Sequence, residues 1–151
     1  MGMATEFRVY DVPGCIAGED FSPAGTLTGN NGNGTACGQF LFVTQTATKD
    51  TYVHYQNDNI SSGRVPVGVS QNDPKSGGEL QVRALGRSKI TCGTGGLAIG
   101  DDVGSDSAGR GVKKTATTTG ANLGDFVMGI CTGAGAVGEI GQIELIGRYR
   151  V

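Results

Sequence analysis

The sequence has no tryptophan, one histidine (His54), four prolines and little charge, 17% of its 151 residues, with a net charge of −2 at pH 7. Each shortage excludes something. A single histidine rules out any two-histidine metal site, and Cys15, Cys37, Cys92 and Cys131 are too scattered to supply a CxxC zinc unit. A charge-poor, slightly acidic chain lacks the basic face with which proteins grip nucleic acid. No apolar run approaches the ~20 residues of a membrane span. Residues 1–7 lack the basic and apolar regions of a secretory signal, so the cysteines are expected as reduced thiols packing like small apolar side chains. The expected partners therefore include neither nucleic acid nor membrane.

What the sequence has is glycine, at 28 positions, without the Gly-X-Y period of collagen. Residues 1–37 spread their large apolar side chains too widely for helix or strand and end in Thr28-Gly29-Asn30-Asn31-Gly32-Asn33-Gly34, a turn-forming run. This segment reads as an extended N-terminal arm. Residues 38–151 read as a β domain. Gln39-Phe40-Leu41-Phe42-Val43-Thr44 has the aromatic and β-branched content of a buried strand, and Thr51-Tyr52-Val53-His54-Tyr55-Gln56 alternates with period two. Further strands are predicted over 64–70, 79–85, 89–92, 126–131 and 142–146. Gly, Asn and Asp fill the connections. At most one short helix is expected, around Gly96-Leu97-Ala98-Ile99. The fold class is mainly β, a sandwich or small barrel.

Residues 65–90 laid over 126–151 without a gap bring Gly68 onto Gly129, Gly77 onto Gly138, Gln81 onto Gln142, Gly86 onto Gly147 and Arg87 onto Arg148. Val82 falls on Ile143 and Ala84 on Leu145. The overlay predicts a strand–turn–strand unit used twice, with Gly68 and Gly129 at points of close backbone approach.

The search for chemistry finds no catalytic residue, no cofactor-binding residue and no metal ligand set. Gly133-Ala134-Gly135-Ala136-Val137-Gly138 spells the dinucleotide fingerprint, but a strand pattern follows where that motif needs a helix, so a glycine-rich hairpin loop is expected. Asp101, Asp102 and Asp106 fail the calcium-loop spacing and read as a solvated turn. His54 is placed on the polar face of its strand with Tyr52 and Gln56, tied to no cysteine it could activate.

From about residue 64 to 147 the chain resembles the capsid cement, or head decoration, proteins of tailed bacteriophages. The resemblance lies in an ordered series: Val67-Gly68-Val69, the turn Asn72-Asp73-Pro74, Gly78-Glu79-Leu80-Gln81-Val82, Gly100-Asp101-Asp102-Val103, Met128-Gly129, and Gly138-Glu139 leading to Leu145. It implies a small, β-tulip-like barrel without catalytic residues. It further implies a homotrimer on the outer surface of the virion capsid, made in the host cytoplasm, with the major capsid protein as partner. The arm is longer than in the minimal form of that family. Phe7, Arg8, Val9 and Tyr10, with Phe21 further along, are the arm residues expected to dock on capsid subunits by adding to a strand edge. Two other readings compete. A glycan- or host-surface-binding head-fibre domain would want exposed aromatic platforms, and a small enzyme would want the acid pairs and histidines this chain lacks.

Overall fold

Strands that alternate apolar and polar residues have one face to bury, and rolling such a sheet into a barrel buries it without leaving open edges. The computed structural model describes residues 26–32, 38–54, 66–115 and 126–150, which form ten β-strands and, among the described residues, no helix. The first unit comprises β1 (Thr26–Asn31), β2 (Phe42–Gln45), β3 (Thr51–His54), β4 (Gly68–Ser70) and β5 (Glu79–Arg83). These close into a barrel in the order β1-β3-β2-β4-β5, with β1 and β3 parallel and β5 returning antiparallel to β1. The second unit comprises β6 (Gly86–Thr91), β7 (Asp102–Ser105), β8 (Gly111–Lys113), β9 (Phe126–Gly133) and β10 (Ile140–Arg150), in the order β6-β10-β9-β7-β8.

The two units follow one pattern. Across β4 and β5, Val69 faces Arg83 and Ser70 faces Val82; across β9 and β10, Ile130 faces Glu144 and Cys131 faces Ile143, a uniform shift of 61 residues (130 − 69 and 144 − 83). The same shift carries the pairs Thr26–Arg83 and Asn30–Glu79 onto Arg87–Glu144 and Thr91–Ile140. The turns match as well. Gly78 N–H donates to the Lys75 carbonyl at 2.8 Å, as Glu139 N–H donates to that of Ala136 at 3.0 Å. Gly77 and Gly138 take φ of 74° and 82°, where a side chain is strained. The repeat read over 65–90 and 126–151 thus extends to all five strands. The overlay set Gly86 and Arg87 of β6 against the end of β10; the equivalence of β1 with β6 escaped it because their aligned residues share no identity.

Backbone geometry, rather than side chains, is what the two units keep. A Cβ on Gly68 would run into the carbonyl oxygen of Arg83, and one on Gly129 into that of Glu144. Volume is traded elsewhere. Gly29 on β1 leaves room for the ring of Tyr52 on β3; at the equivalent places Ile90 fills the space and Gly111 leaves it. One large and one small residue occupy the same pair of sites in opposite order, as dense packing requires.

The units differ at one seam. In the first, Asn30 N–H donates to the Asp50 carbonyl at 2.6 Å and the barrel closes. In the second, among the described residues, β6 and β8 meet only at the single parallel bridge Cys92–Gly111. Thr91 N–H, the counterpart of Asn30, donates instead to the Phe40 carbonyl at 2.8 Å, and the Gly109 carbonyl accepts from Phe42 N–H at 2.6 Å. Residues 40–42 of the first unit therefore lie in the gap of the second. Ser70 fixes this insert, its hydroxyl accepting from Leu41 N–H and donating to the Gly38 carbonyl. The Phe42 and Val69 side chains join a core with Ile90, Val103, Met128 and Ile143, whereas Val43, Tyr52, Leu80 and Val82 fill the first barrel.

Two expectations need correction. Thr26–Asn31, assigned to the arm, is β1, so the barrel begins at Thr26 and not at residue 38. Its pairing is backbone work with β3 and β5, helped by Asn31, which is buried and donates from its amide to the Pro74 carbonyl at 2.9 Å. Tyr52, placed on the polar face, is 5% exposed inside the barrel because Gly29 makes room for it. The segment around Gly96-Leu97-Ala98-Ile99, where at most one short helix was expected, holds none, since Leu97 pairs with Gly135.

Candidate interaction surface

Three acidic residues of the second unit, Asp101, Asp106 and Glu139, hold its loops. The Asp106 carboxylate accepts from the backbone N–H groups of Ala108 and Arg110 at 2.8 and 2.9 Å and from Arg110 Nε at 2.8 Å, which fixes the turn between β7 and β8. Asp101 accepts from Ala98 N–H at 2.9 Å and pairs with Lys113 Nζ at 2.6 Å. That hydrogen bond to Lys113 holds the Asp101 carboxyl below its ordinary range and raises the Lys113 ammonium above its own. The solvated turn expected here is a set of caps, with the Asp101 and Asp106 side chains 13% and 15% exposed. Among the described residues no three His, Cys, Asp or Glu side chains converge as a metal site would need. Cys92 and Cys131 are free thiols, and burial pushes both up, which suppresses thiolate chemistry.

The exposed apolar side chains have a definite place. Five large ones stand out among the described residues: Ile99, Ile130, Val137, Ile140 and Ile146. Ile99, Val137 and Ile140, at 73%, 57% and 47% exposure, belong to one end of the second unit. Two loops meet there, residues 93–100 and the β9–β10 hairpin tip, 134–139. Leu97 and Gly135 lock them with reciprocal backbone hydrogen bonds of 2.9 and 3.1 Å. Gly138 N–H donates to the Cys92 carbonyl, Gly100 N–H to that of Cys131, and Glu139 caps the tip by accepting from Ala136 N–H at 2.9 Å. The close joint depends on glycine, since a Cβ on Gly96 would lie 2.8 Å from the Gly135 carbonyl oxygen.

The GxGxxG string is thus a hairpin tip with strand β10 behind it, as expected. The signal in the sequence that marks this end is the absence of any charge from residue 93 to 100 and from 133 to 138. Phe7, Arg8, Val9, Tyr10 and Phe21 lie outside the described residues, as do Cys15 and Cys37. The side chain of His54 is likewise not described; its backbone pairs with Val43.

A five-stranded unit used twice, the first time closed as a barrel, with Asp101, Asp106 and Glu139 capping the loops of the second and Ile99 and Val137 displayed there, defines a β module whose loop end is locked. No protein-family model matches the sequence, and no curated protein matches it either. Among solved structures, it is similar in fold to the N base of the head fiber gp8.5 of bacteriophage phi29, with a TM-score of 0.58 and 14% identity. The likeness covers 80% of this chain and 92% of that one, so it takes in both units and not one barrel alone.

Proposed function

We propose that the protein is a structural component of a tailed-phage head, seated on the outside of the capsid as a trimer that bridges and stabilises the major capsid protein lattice. The observation that carries the reading is the fold shared with a phage head-fiber base over nearly the whole of that base. It agrees with the resemblance to cement proteins, drawn from different features of the chain. The arm, through Phe7, Arg8, Val9, Tyr10 and Phe21, supplies added strand contacts to capsid subunits. Three-fold repetition would make weak single contacts tight through effective concentration, with avidity gains on the order of 10²–10⁴.

A second reading has the same observation behind it: the chain is the base of a head fibre, bound to the capsid but carrying a host- or glycan-binding element. One experiment separates the two. Heads lacking the protein should assemble but rupture at lower temperature than heads carrying it, because a ligand of the assembled lattice stabilises that lattice. Equal rupture temperatures with the protein present on the heads would leave the fibre-base reading. Its absence from purified heads would remove both.

A further inference from the structure

We infer that the locked loop end of the second unit, Ile99 with the tip residues Ala136, Val137 and Ile140, is where each protomer seats on the capsid, its uncharged side chains entering an apolar depression on the shell. This rests on the reading of the protein as a capsid-surface component. The molecule supplies its own control, because the first unit carries the same hairpin. Residues 75, 76 and 79 there correspond to 136, 137 and 140, with the same turn hydrogen bond and the same positive-φ glycine. The first unit places Lys75, Ser76 and Glu79 at these positions, where the second places Ala136, Val137 and Ile140. The turn is therefore built equally well with polar residues, and its backbone does not call for the apolar set.

Single exposed apolar residues need no explanation, but three of the five among the described residues gathered on two locked loops and the first residue of β10 do. The joint between Leu97 and Gly135 and the caps from Asp101 and Glu139 hold these loops in place before any partner arrives, so little ordering is lost on binding. The chemistry of the end selects its occupant. With no Lys or Arg on either loop it has nothing to offer anionic lipid, and with no aromatic ring it has no platform for a sugar. Its apolar area is at most a few hundred Å², well short of the ~800 Å² per partner that a stand-alone protein interface buries. It cannot hold two copies together on its own. A contact of this size is useful where symmetry repeats it, as on a capsid lattice.

The test is co-sedimentation of purified protein with heads isolated from phage lacking it. The tip is replaced by its first-unit counterpart, Ala136→Lys, Val137→Ser and Ile140→Glu; Ile99→Asp, on the other loop, is a second variant. Ser76→Val in the first unit is the control. The tip replacement and Ile99→Asp should each weaken binding roughly tenfold or more, the scale of a buried apolar anchor, with the melting temperature unchanged and the control within about twofold. Folded variants that bind like wild type would overturn the inference while leaving the capsid reading intact. Loss of self-association in the ultracentrifuge with head binding retained would also overturn it, by assigning the surface to a second copy. Wild-type protein that fails to bind heads would instead bring down the capsid reading, and the inference with it.

Discussion

Phe42 belongs to β2 of the first unit, yet its fully buried side chain clusters with Ile90, Val103 and Ile143 of the second. Its neighbour Val43 points the other way, into the first barrel with Leu80 and Val82. The two residues are adjacent in sequence and serve different cores. Phe42→Ala empties a ring-sized site, a change that costs about 3–5 kcal/mol. Val43→Ala removes two methyl groups, for about 2 kcal/mol with its cavity term. For a chain of this length each kcal/mol lowers the melting temperature by roughly 2–4 °C, so Phe42→Ala should melt about 6–20 °C below wild type. A domain stable by ~5–15 kcal/mol survives that loss near room temperature, so the variant can be studied folded. Hydrogen exchange by mass spectrometry then locates the damage. Phe42→Ala should speed exchange first in residues 86–92 and 109–113, and Val43→Ala first in 26–31 and 79–83. If Phe42→Ala deprotected β1 and β5 while leaving β6 and β8 unchanged, the ring would belong to the first barrel and the interlocked arrangement would be wrong.

Further expectations can be checked with the same protein. Gly129→Ala sets a Cβ against the Glu144 carbonyl oxygen and should cost several kcal/mol in urea unfolding, on the scale of severe core overpacking. Gly138→Ala has open space and only a left-handed φ to pay for, so about 1–2 kcal/mol is expected; equal costs at the two sites would contradict the packing argument. Because Lys113 lowers the Asp101 carboxyl, this group stabilises the fold above its unfolded value of about 3.9, and the effect fades as pH falls through the depressed folded value. The melting gap between wild type and Asp101→Asn should therefore be open at pH 6 and shrink towards pH 2; a gap independent of pH would show that the ion pair is not its source. Cys92 and Cys131 should resist a thiol reagent such as Ellman's until the protein unfolds, and alanine at either should cost roughly 1–2 kcal/mol. Rapid labelling of these two in the native protein would mean that the core opens.

Much of the β architecture was legible where side chains carry it. Gln39 to Thr44 has the aromatic and β-branched content of a buried strand, Leu80 to Val82 and Ile143 to Leu145 alternate as half-buried strands must, and β2, β5 and β10 fall within a few residues of where these patterns put them. β1, β7 and β8 were not legible. Thr-Leu-Thr-Gly-Asn-Asn, Asp-Val-Gly-Ser and Gly-Val-Lys each hold a single large aliphatic residue, and their pairing is carried by backbone hydrogen bonds to neighbouring strands. The arm boundary slipped for that reason. The loop end of the second unit was hidden differently, because glycine and alanine read as spacers until the hydrogen bonds between Leu97 and Gly135 show what they hold.

The insert at residues 40–42 also has a consequence in time. A ribosome delivers the first barrel complete before any strand of the second exists, and at ~5–20 residues per second the remaining strands take several seconds to follow. Through that interval Phe42 and Val69, destined for the second unit's core, have no partner to cover them. The nascent chain therefore passes through a stage with a folded barrel and an adhesive outer face, the kind of species that chaperones bind and that aggregates when they are scarce. Slower translation of residues 84–146 should lengthen that stage, so synonymous codon changes confined to this stretch would alter soluble yield while leaving the finished protein identical.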